Sequence, residues 1–245
     1  MSPRITAAIA ARVLTQLRRD HRTLAIMLVL PCLLISLLWW MFDDLPGDTF
    51  DRLGPALLTM FPFIVMFLVT SVTTLRERSS GTLERLLAMP MGKLDLLGGY
   101  ALAFGLVAAV QSALAVGLSV LALDLDVAGP VWLLTVVAVA DAVLGTALGL
   151  FVSAFARTEF QAVQFMPVVV IPQILLCGLF VPRAALPDLL GAVSDVLPLS
   201  YAVDAMQQLT RTADTAEVWG NLAVVAGFAV AVLGLGAATL RRRTA

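Results

Sequence analysis

Asp141 is the ionisable residue that lies deepest in an apolar stretch, near the middle of the run 127–156. A carboxylate in such a segment is costly to bury, so it is read first as a functional site. It could bind a proton or a cation in a secondary transporter. It could equally join helices through hydrogen bonds to Gln111, Ser112 or Gln164. The residue types alone leave both interpretations open.

Other chemistry is excluded by what the chain lacks. The only lysine, Lys93, is not preceded by the glycine pattern of a phosphate-binding loop. The single histidine, His21, cannot form a paired zinc motif, and no Gly-x-Ser-x-Gly elbow occurs. Cys32 and Cys177 lie in apolar runs and do not form a disulfide framework. We therefore expect no catalytic residue, metal or cofactor, and any ATP must bind to another subunit.

The composition defines the class of protein that positions these residues. Of 245 residues, 60% are hydrophobic and 13% are charged, and the mean hydropathy is +0.96. Soluble domains average about 25% charged residues. These values exclude a soluble enzyme, a disordered chain and a nucleic-acid-binding domain. We expect one all-α integral membrane domain over residues 1–245.

Six long runs are nearly free of charge, and each is long enough to cross a bilayer as a helix. They do not alternate as the strands of a membrane barrel would. The predicted spans are 23–42, 53–75, 96–123, 127–156, 160–182 and 218–240.

The basic residues predict the orientation of these spans. Of the 16 Lys and Arg residues, all but Arg52, Arg183 and Arg211 fall on one side of the predicted topology. The positive-inside rule then places both termini in the cytoplasm. Trp39, Trp132 and Trp219 fall at the outer ends of spans, as interfacial aromatic residues do.

Two further segments are amphipathic without being long enough to span. Residues 4–20 predict a helix on the inner leaflet, with its basic side attracted to anionic lipid; an ordinary solvated flank is the alternative. Residues 183–217 predict two short helices that dip into the outer leaflet or cap the bundle, with an unstructured external loop as the alternative. Their apolar positions, among them Leu190 and Leu197, are expected to be shielded.

The segment 76–90 predicts a short cytoplasmic helix between the second and third spans. Ser79 to Gly81 can begin it, Glu84 suits its first turn, and Pro90 ends it. Its leucines form an exposed apolar patch, which has no obvious use in water unless a partner covers it. A helix lying flat on the membrane is the alternative.

Here the sequence resembles a family. The run Arg-Glu-Arg-x-x-Gly-Thr-Leu-Glu-x-Leu-Leu-x-x-Pro at 76–90 looks like the signature of ABC-2 type exporter permeases. The run from Gly178 through Leu199-Ser200-Tyr201 resembles the external re-entrant helices of that family. The resemblance implies that the first segment is a helix that docks on an ATPase subunit. The residues carrying that role would be Arg78, Gly81, Thr82, Leu83, Glu84, Leu86, Leu87 and Pro90.

The resemblance also implies an outer gate and partners. The gate residues would be Pro182, Pro187, Pro198 and Tyr201, and the intramembrane polar residues would be Asp141, Gln111 and Gln164. The partners would be a separate ABC ATPase, a second permease copy (identical or related) and membrane lipid, with no nucleic acid. The chain itself would not be an enzyme. We expect a permease in a bacterial inner membrane that exports drugs or other amphipathic molecules, with a proton- or ion-coupled carrier that uses Asp141 as the alternative.

Two positions depart from the family pattern. Met89 stands where a threonine is common before the proline, which could alter pairing with the ATPase. Gln207 and Gln208 stand where an arginine often follows the tyrosine segment, which could affect the substrate or the outer gate.

Overall fold

The computed structural model describes residues 2–43, 49–81 and 92–239, and every secondary-structure element in those ranges is helical. Residues 82–90 of the segment 76–90, which is predicted to form a short cytoplasmic helix, lie outside the described residues. In chain order the elements are α1 (Pro3–Arg19), α2 (His21–Asp43), α3 (Thr49–Ser79), α4 (Lys93–Leu121), α5 (Val131–Ser153), α6 (Glu159–Leu176), a 3₁₀ turn (Arg183–Ala185), α7 (Asp188–Val196), α8 (Pro198–Arg211) and α9 (Ala216–Thr239).

The predicted fold class is confirmed. Within the described ranges, six helices are long and apolar enough to cross a membrane, namely α2 to α6 and α9. All-helical folding follows from the solvent, because backbone groups in lipid must form hydrogen bonds within their own segment. The protein is therefore a multi-pass membrane protein.

Some helix ends differ from the predicted runs, for local reasons. Helix α6 ends at Leu176, six residues before the predicted end, because Gly178 takes the left-handed conformation with φ +92°. Helix α5 begins only at Val131, directly after Pro130. Helix α3 is longer than predicted and includes Arg76, Glu77 and Arg78. These three charged residues are therefore helical and do not form a loop.

Helices α3 and α5 form the closest contact at the centre of the bundle. A Cβ atom added to Gly145 would lie 2.5 Å from the carbonyl oxygen of Phe63, and one added to Gly149 would lie 2.5 Å from that of Phe67. Small residues four positions apart let two membrane helices approach at backbone distance. The matched spacing also shows that α3 and α5 run parallel, as two spans separated by one intervening span must.

Helix α1 packs on the bundle through its apolar stripe. Ile9, Val13 and Leu17 are buried, and a Cβ atom on Gly99 of α4 would lie 2.6 Å from Ile9. The predicted amphipathic helix thus forms, but its apolar residues contact protein, and its polar face is the exposed one.

The two short helices after α6 differ in their surroundings. Helices α7 and α8 meet at a 90° bend. Helix α8 inserts among α3, α5 and α9, and Leu199, Ala202 and Met206 are fully buried. Helix α7 remains on the surface. Leu190 is exposed in this single chain, so protein does not cover it. Its shielding by the outer leaflet stays a prediction.

Candidate functional site

Residues 82–91 connect the end of α3 to the start of α4 in the sequence, and we call the side of the molecule where these two helix ends lie the loop end. Helices α3 and α5 end there, α4 and α6 begin there, and α1 lies across it. The opposite side, where α2 ends and α7 and α8 lie, is the far end. The distribution of basic residues predicts that the loop end faces the cytoplasm.

Glu77 is the centre of a polar cluster at the loop end. It is 4% exposed, and its Oε2 accepts hydrogen bonds from the hydroxyl of Tyr100 on α4 and from Nη2 of Arg12 on α1, the latter at 3.0 Å. A buried carboxylate requires such charge-assisted partners. The cluster therefore joins α3 to both α1 and α4, one turn before the segment 82–91 begins.

Arg78 joins the same end of α3 to α5. Its Nη1 and Nη2 donate to the carbonyl oxygens of Ser153 and Ala154, each at 2.6 Å. The last carbonyls of a helix lack intrahelical donors and carry the negative end of the helix dipole. A guanidinium stabilises them both by donating hydrogen bonds and by its positive charge. Of the residues predicted for the coupling helix, Arg78 thus has a defined structural role.

Arg76 makes the third attachment, to α6. Its guanidinium binds the carboxylate of Glu159 in a bidentate geometry, with both nitrogen–oxygen distances at 3.1 Å. Both side chains are about half exposed, so this pair contributes little to stability. Three consecutive residues of α3 therefore contact four other helices.

The start of α4 is attached as well. The Oδ2 of Asp95 accepts from the backbone N–H of Gly92 at 3.1 Å, and its Oδ1 accepts from the backbone nitrogen of Ser2 at 2.6 Å. Both chain ends of the segment 82–91 are thus fixed to the bundle and to α1.

Of the other residues predicted for the coupling helix, the structure describes only Gly81. Gly81 follows α3 with φ +73°, a left-handed conformation that ends the helix. Ser79 is the last residue of α3, and the hydroxyls of Ser79 and Ser80 donate to the carbonyls of Arg76 and Glu77, each at 3.0 Å. The residues of the helix that Ser79 to Gly81 are predicted to begin lie outside the described residues. Thr82, Leu83, Glu84, Leu86, Leu87 and Pro90 lie outside the described residues.

Of the predicted outer-gate residues, Tyr201 belongs to a cluster around Arg183 at the far end. Its guanidinium pairs with Asp195 at 2.5 Å and with Asp204, and it lies 5.1 Å from the centre of the Tyr201 ring. The Tyr201 hydroxyl donates to the Asp195 carbonyl at 2.7 Å. Burial raises the pKa of Asp204, and the charge of Arg183 opposes that rise.

The three prolines of this segment each stand at the beginning of a helical element. Pro182 precedes the 3₁₀ turn, Pro187 precedes α7, and Pro198 is the first residue of α8. Proline suits these positions, since its fixed φ begins a helix and its missing N–H has no intrahelical partner there.

Asp141 and Gln111 are both buried in the core, and Gln164 is not. Asp141 and Gln111 are 0% exposed on the adjacent helices α5 and α4. Gln164 is exposed on α6. Ser112, also considered as a partner of Asp141, instead donates to the Ala138 carbonyl at 3.2 Å.

Sequence reasoning missed the Glu77 cluster and the role of Arg183. The sequence places Arg76, Glu77 and Arg78 in the cytoplasmic segment after the second span, and Arg183 only among the basic residues of the outer side. The available signal was an acidic residue between two arginines at the end of an apolar run, which is costly to bury without partners. Its partner Tyr100 could not be identified, because it lies in another span.

Comparisons with known proteins give a consistent result. The sequence profile described as "ABC-2 type transporter" matches residues 5–210. ABC transporter G family member 20 of Dictyostelium discoideum is 27% identical over 165 residues, which are 67% of this chain and 23% of that protein. The probable multidrug ABC transporter permease YbhR of Escherichia coli is 28% identical over 169 residues, which are 69% of this chain and 46% of that protein. The inner membrane transport permease YhhJ of Escherichia coli is 28% identical over 160 residues, which are 64% of this chain and 42% of that protein. The chain therefore spans less than half the length of these curated relatives.

Proposed function

The chain belongs to the ABC-2 type transporter family, and from this premise we propose that it is the membrane-spanning subunit of an ATP-driven exporter. The segment 82–91 would dock on a separate ABC ATPase, and a second permease copy, identical or related, would complete the transporter. The chain would supply the path and the gate, and the ATPase would supply the energy.

The observation that carries this proposal is the attachment of the loop end. Residues on both sides of 82–91 are joined to α1, α4, α5 and α6 through Arg76, Glu77, Arg78 and Asp95. Such fixed ends suit a segment that receives a push from a partner and passes it to the spans. A free surface loop would need no such attachments.

The orientation follows from the same assignment. If an ATPase binds the loop end, that end lies in the cytoplasm of a bacterium, where the nucleotide is. Both termini would also be cytoplasmic, and the protein would lie in the inner membrane. The excess of arginine at the loop end supports this orientation through the positive-inside rule.

The proposed cargo is a drug or another amphipathic, lipid-like molecule. Support comes from the apolar composition of the spans and from the printed name of YbhR, a probable multidrug permease. The Arg183 cluster at the far end would act as the outer gate, because it holds the 3₁₀ turn against both α7 and α8.

A proton- or ion-coupled carrier is the second candidate. It is favoured by Asp141, a fully enclosed carboxyl group near the middle of a span. The two functions differ in one respect that can be measured, since a carrier would transport in the absence of any ATPase.

Co-purification of the native complex tests the proposal. We expect the tagged permease to retain an ABC ATPase, and we expect Glu84→Arg to lose it while still inserting, because charge reversal on the docking helix disturbs a complementary surface. Glu217→Arg, at the start of α9 on the far end, is the matched control and should retain the ATPase. Transport by the purified chain alone would favour the carrier instead.

A further inference from the structure

Asp141 is a fully buried acid whose two carboxyl oxygens have no partner among the described residues. It is 0% exposed, neither oxygen accepts a hydrogen bond, and none of the described ion pairs includes it. Asp141 lies ten residues after the start of the 23-residue helix α5, and therefore near the middle of this span. A carboxylate without donors or a cation would be strongly destabilising at this depth, and a neutral acid avoids that cost.

The face of α5 that carries Asp141 lies against α3. Gly145 and Gly149 follow Asp141 at intervals of four residues, so the three residues share one face of the helix. The Cβ positions of the two glycines lie 2.5 Å from the carbonyl oxygens of Phe63 and Phe67, respectively. A step of four residues along α5 therefore matches a step of four residues along α3, and the two helices stay equally close over that turn.

The same register places Asp141 beside a proline of α3. At the level of Gly149, the nearest Cβ atom on α3 belongs to Thr70, at 3.2 Å. Two steps of four residues earlier, Asp141 takes the place of Gly149 and Pro62 takes that of Thr70. The contact between the helices continues beyond this level, because Leu58 of α3 belongs to the same buried cluster as Ala138 of α5.

Pro62 leaves one carbonyl group of α3 without its donor. Proline has no N–H, so the carbonyl oxygen of Leu58, four residues earlier, lacks the usual intrahelical hydrogen bond. Leu58 is 0% exposed, so solvent does not reach this carbonyl group. The hydroxyl of Thr59 does not serve it, since it donates to the carbonyl of Pro55 at 2.8 Å. In membrane proteins, groups on neighbouring helices satisfy carbonyls that a proline frees.

The direction of the Asp141 side chain suits this role. A helical side chain leans towards the N-terminus of its own helix. Because α3 and α5 run parallel, the carboxyl group of Asp141 leans from the level of Pro62 towards the preceding residues of α3, among them Leu58.

We infer that Asp141 holds a proton and donates it in a hydrogen bond to the carbonyl oxygen of Leu58. A carboxylate and a carbonyl can only accept, so the two groups form a bond only when the acid is protonated. The bond replaces the one that Pro62 cannot make, and it joins the middle of α5 to the proline turn of α3. Asp141 is thus a positioning residue for α3 and carries no coupling ion. This inference does not depend on the proposed function, and it removes the observation that favours the carrier.

A double-mutant cycle of Asp141 with Pro62 tests the bond. Asp141→Leu leaves the Leu58 carbonyl without a donor, so it should lower the Tm of the purified protein. Pro62→Ala restores an N–H for that carbonyl, so in this background the loss caused by Asp141→Leu should be much smaller or reversed. Pro167→Ala is the matched control: Pro167 is an exposed proline inside α6, and in its background the loss should be unchanged. Equal losses in the two proline backgrounds would overturn the bond.

The proton is tested separately, with a variant that keeps a donor. The amide N–H of Asp141→Asn can donate to the same carbonyl, so the Tm of this variant should match that of the wild type; a loss as large as that of Asp141→Leu would contradict the inference. Infrared spectra at neutral pH, with isotope-labelled aspartate, should contain a protonated carboxyl band in the wild type that the Asn variant lacks. A carboxylate band in its place, or a Tm that rises with sodium only when Asp141 is present, would overturn the inference and indicate a cation site.

Discussion

Substituting Glu77 with alanine should destabilise the loop end more than any other change of a charged residue there. The substitution removes the acceptor shared by the buried hydroxyl of Tyr100 and the guanidinium of Arg12. We expect the protein to insert normally and to unfold at a clearly lower temperature.

The magnitude follows from the exposure of each partner. A hydrogen bond to a charged group contributes about 1.5–3 kcal/mol. The Arg12 side chain is 33% exposed, so solvent screening reduces its ion pair with Glu77 to ~1 kcal/mol. With the Tyr100 hydroxyl left unpaired, the total loss is about 3 kcal/mol. For a chain of this size that corresponds to a decrease of roughly 6–12 °C in Tm.

The assay is thermal unfolding of the purified protein in detergent, with Glu159→Ala as the matched control. Glu159 also pairs with an arginine of α3, but it is half exposed, so its loss should cost roughly 0–1 kcal/mol. Tyr100→Phe should fall between the two, because it removes one hydrogen bond and leaves the charge pair. Equal small shifts for Glu77→Ala and Glu159→Ala would refute the view that the buried cluster holds this end together.

Two further predictions concern packing and capping. Gly145→Ala places a methyl group 2.5 Å from a backbone oxygen of α3, so it should lower the free energy of unfolding by about 1–3 kcal/mol. Gly227→Ala is the control: open space surrounds this position, so Tm should stay unchanged or rise slightly. Heat-induced aggregation of the two variants measures the difference. The side chain of Asp20 accepts hydrogen bonds from Thr23 at the start of α2, and these bonds lower the pKa of Asp20. A lowered pKa in the folded state gives stability that is present at neutral pH and is lost as the pH falls through that pKa. Asp20→Ala should therefore lower Tm at pH 7 and have no effect on Tm in strong acid. An equal change in Tm at both pH values would contradict this.

Much of the fold could be predicted because the bilayer imposes a simple rule. An apolar run of sufficient length becomes a helix, and the six predicted runs overlap the six long helices. The ends were less predictable, since they depend on single residues. Gly178 ends α6 early, and the charges of Arg76 to Arg78 extend α3 because other helices pair with them.

The candidate site could be predicted only in part because its contacts are distant in sequence. The pattern at 76–90 identified Arg78, but the carbonyls that Arg78 binds lie 75 and 76 residues away. Amphipathic periodicity predicted α1, but periodicity does not tell whether lipid or protein covers the apolar face. In the structure, α4 covers it, with Gly99 admitting Ile9.

Site-specific photo-crosslinking in cells tests the central claim, that the segment 82–91 receives the ATPase. A photoreactive amino acid would be placed at Leu87 within that segment and, as the control, at Leu189, which is 77% exposed on α7 at the far end. We predict an adduct with an ABC ATPase from position 87 and none from position 189. An ATPase adduct from position 189 would contradict the account. The absence of an adduct at both positions, while the ATPase co-purifies, would contradict it as well.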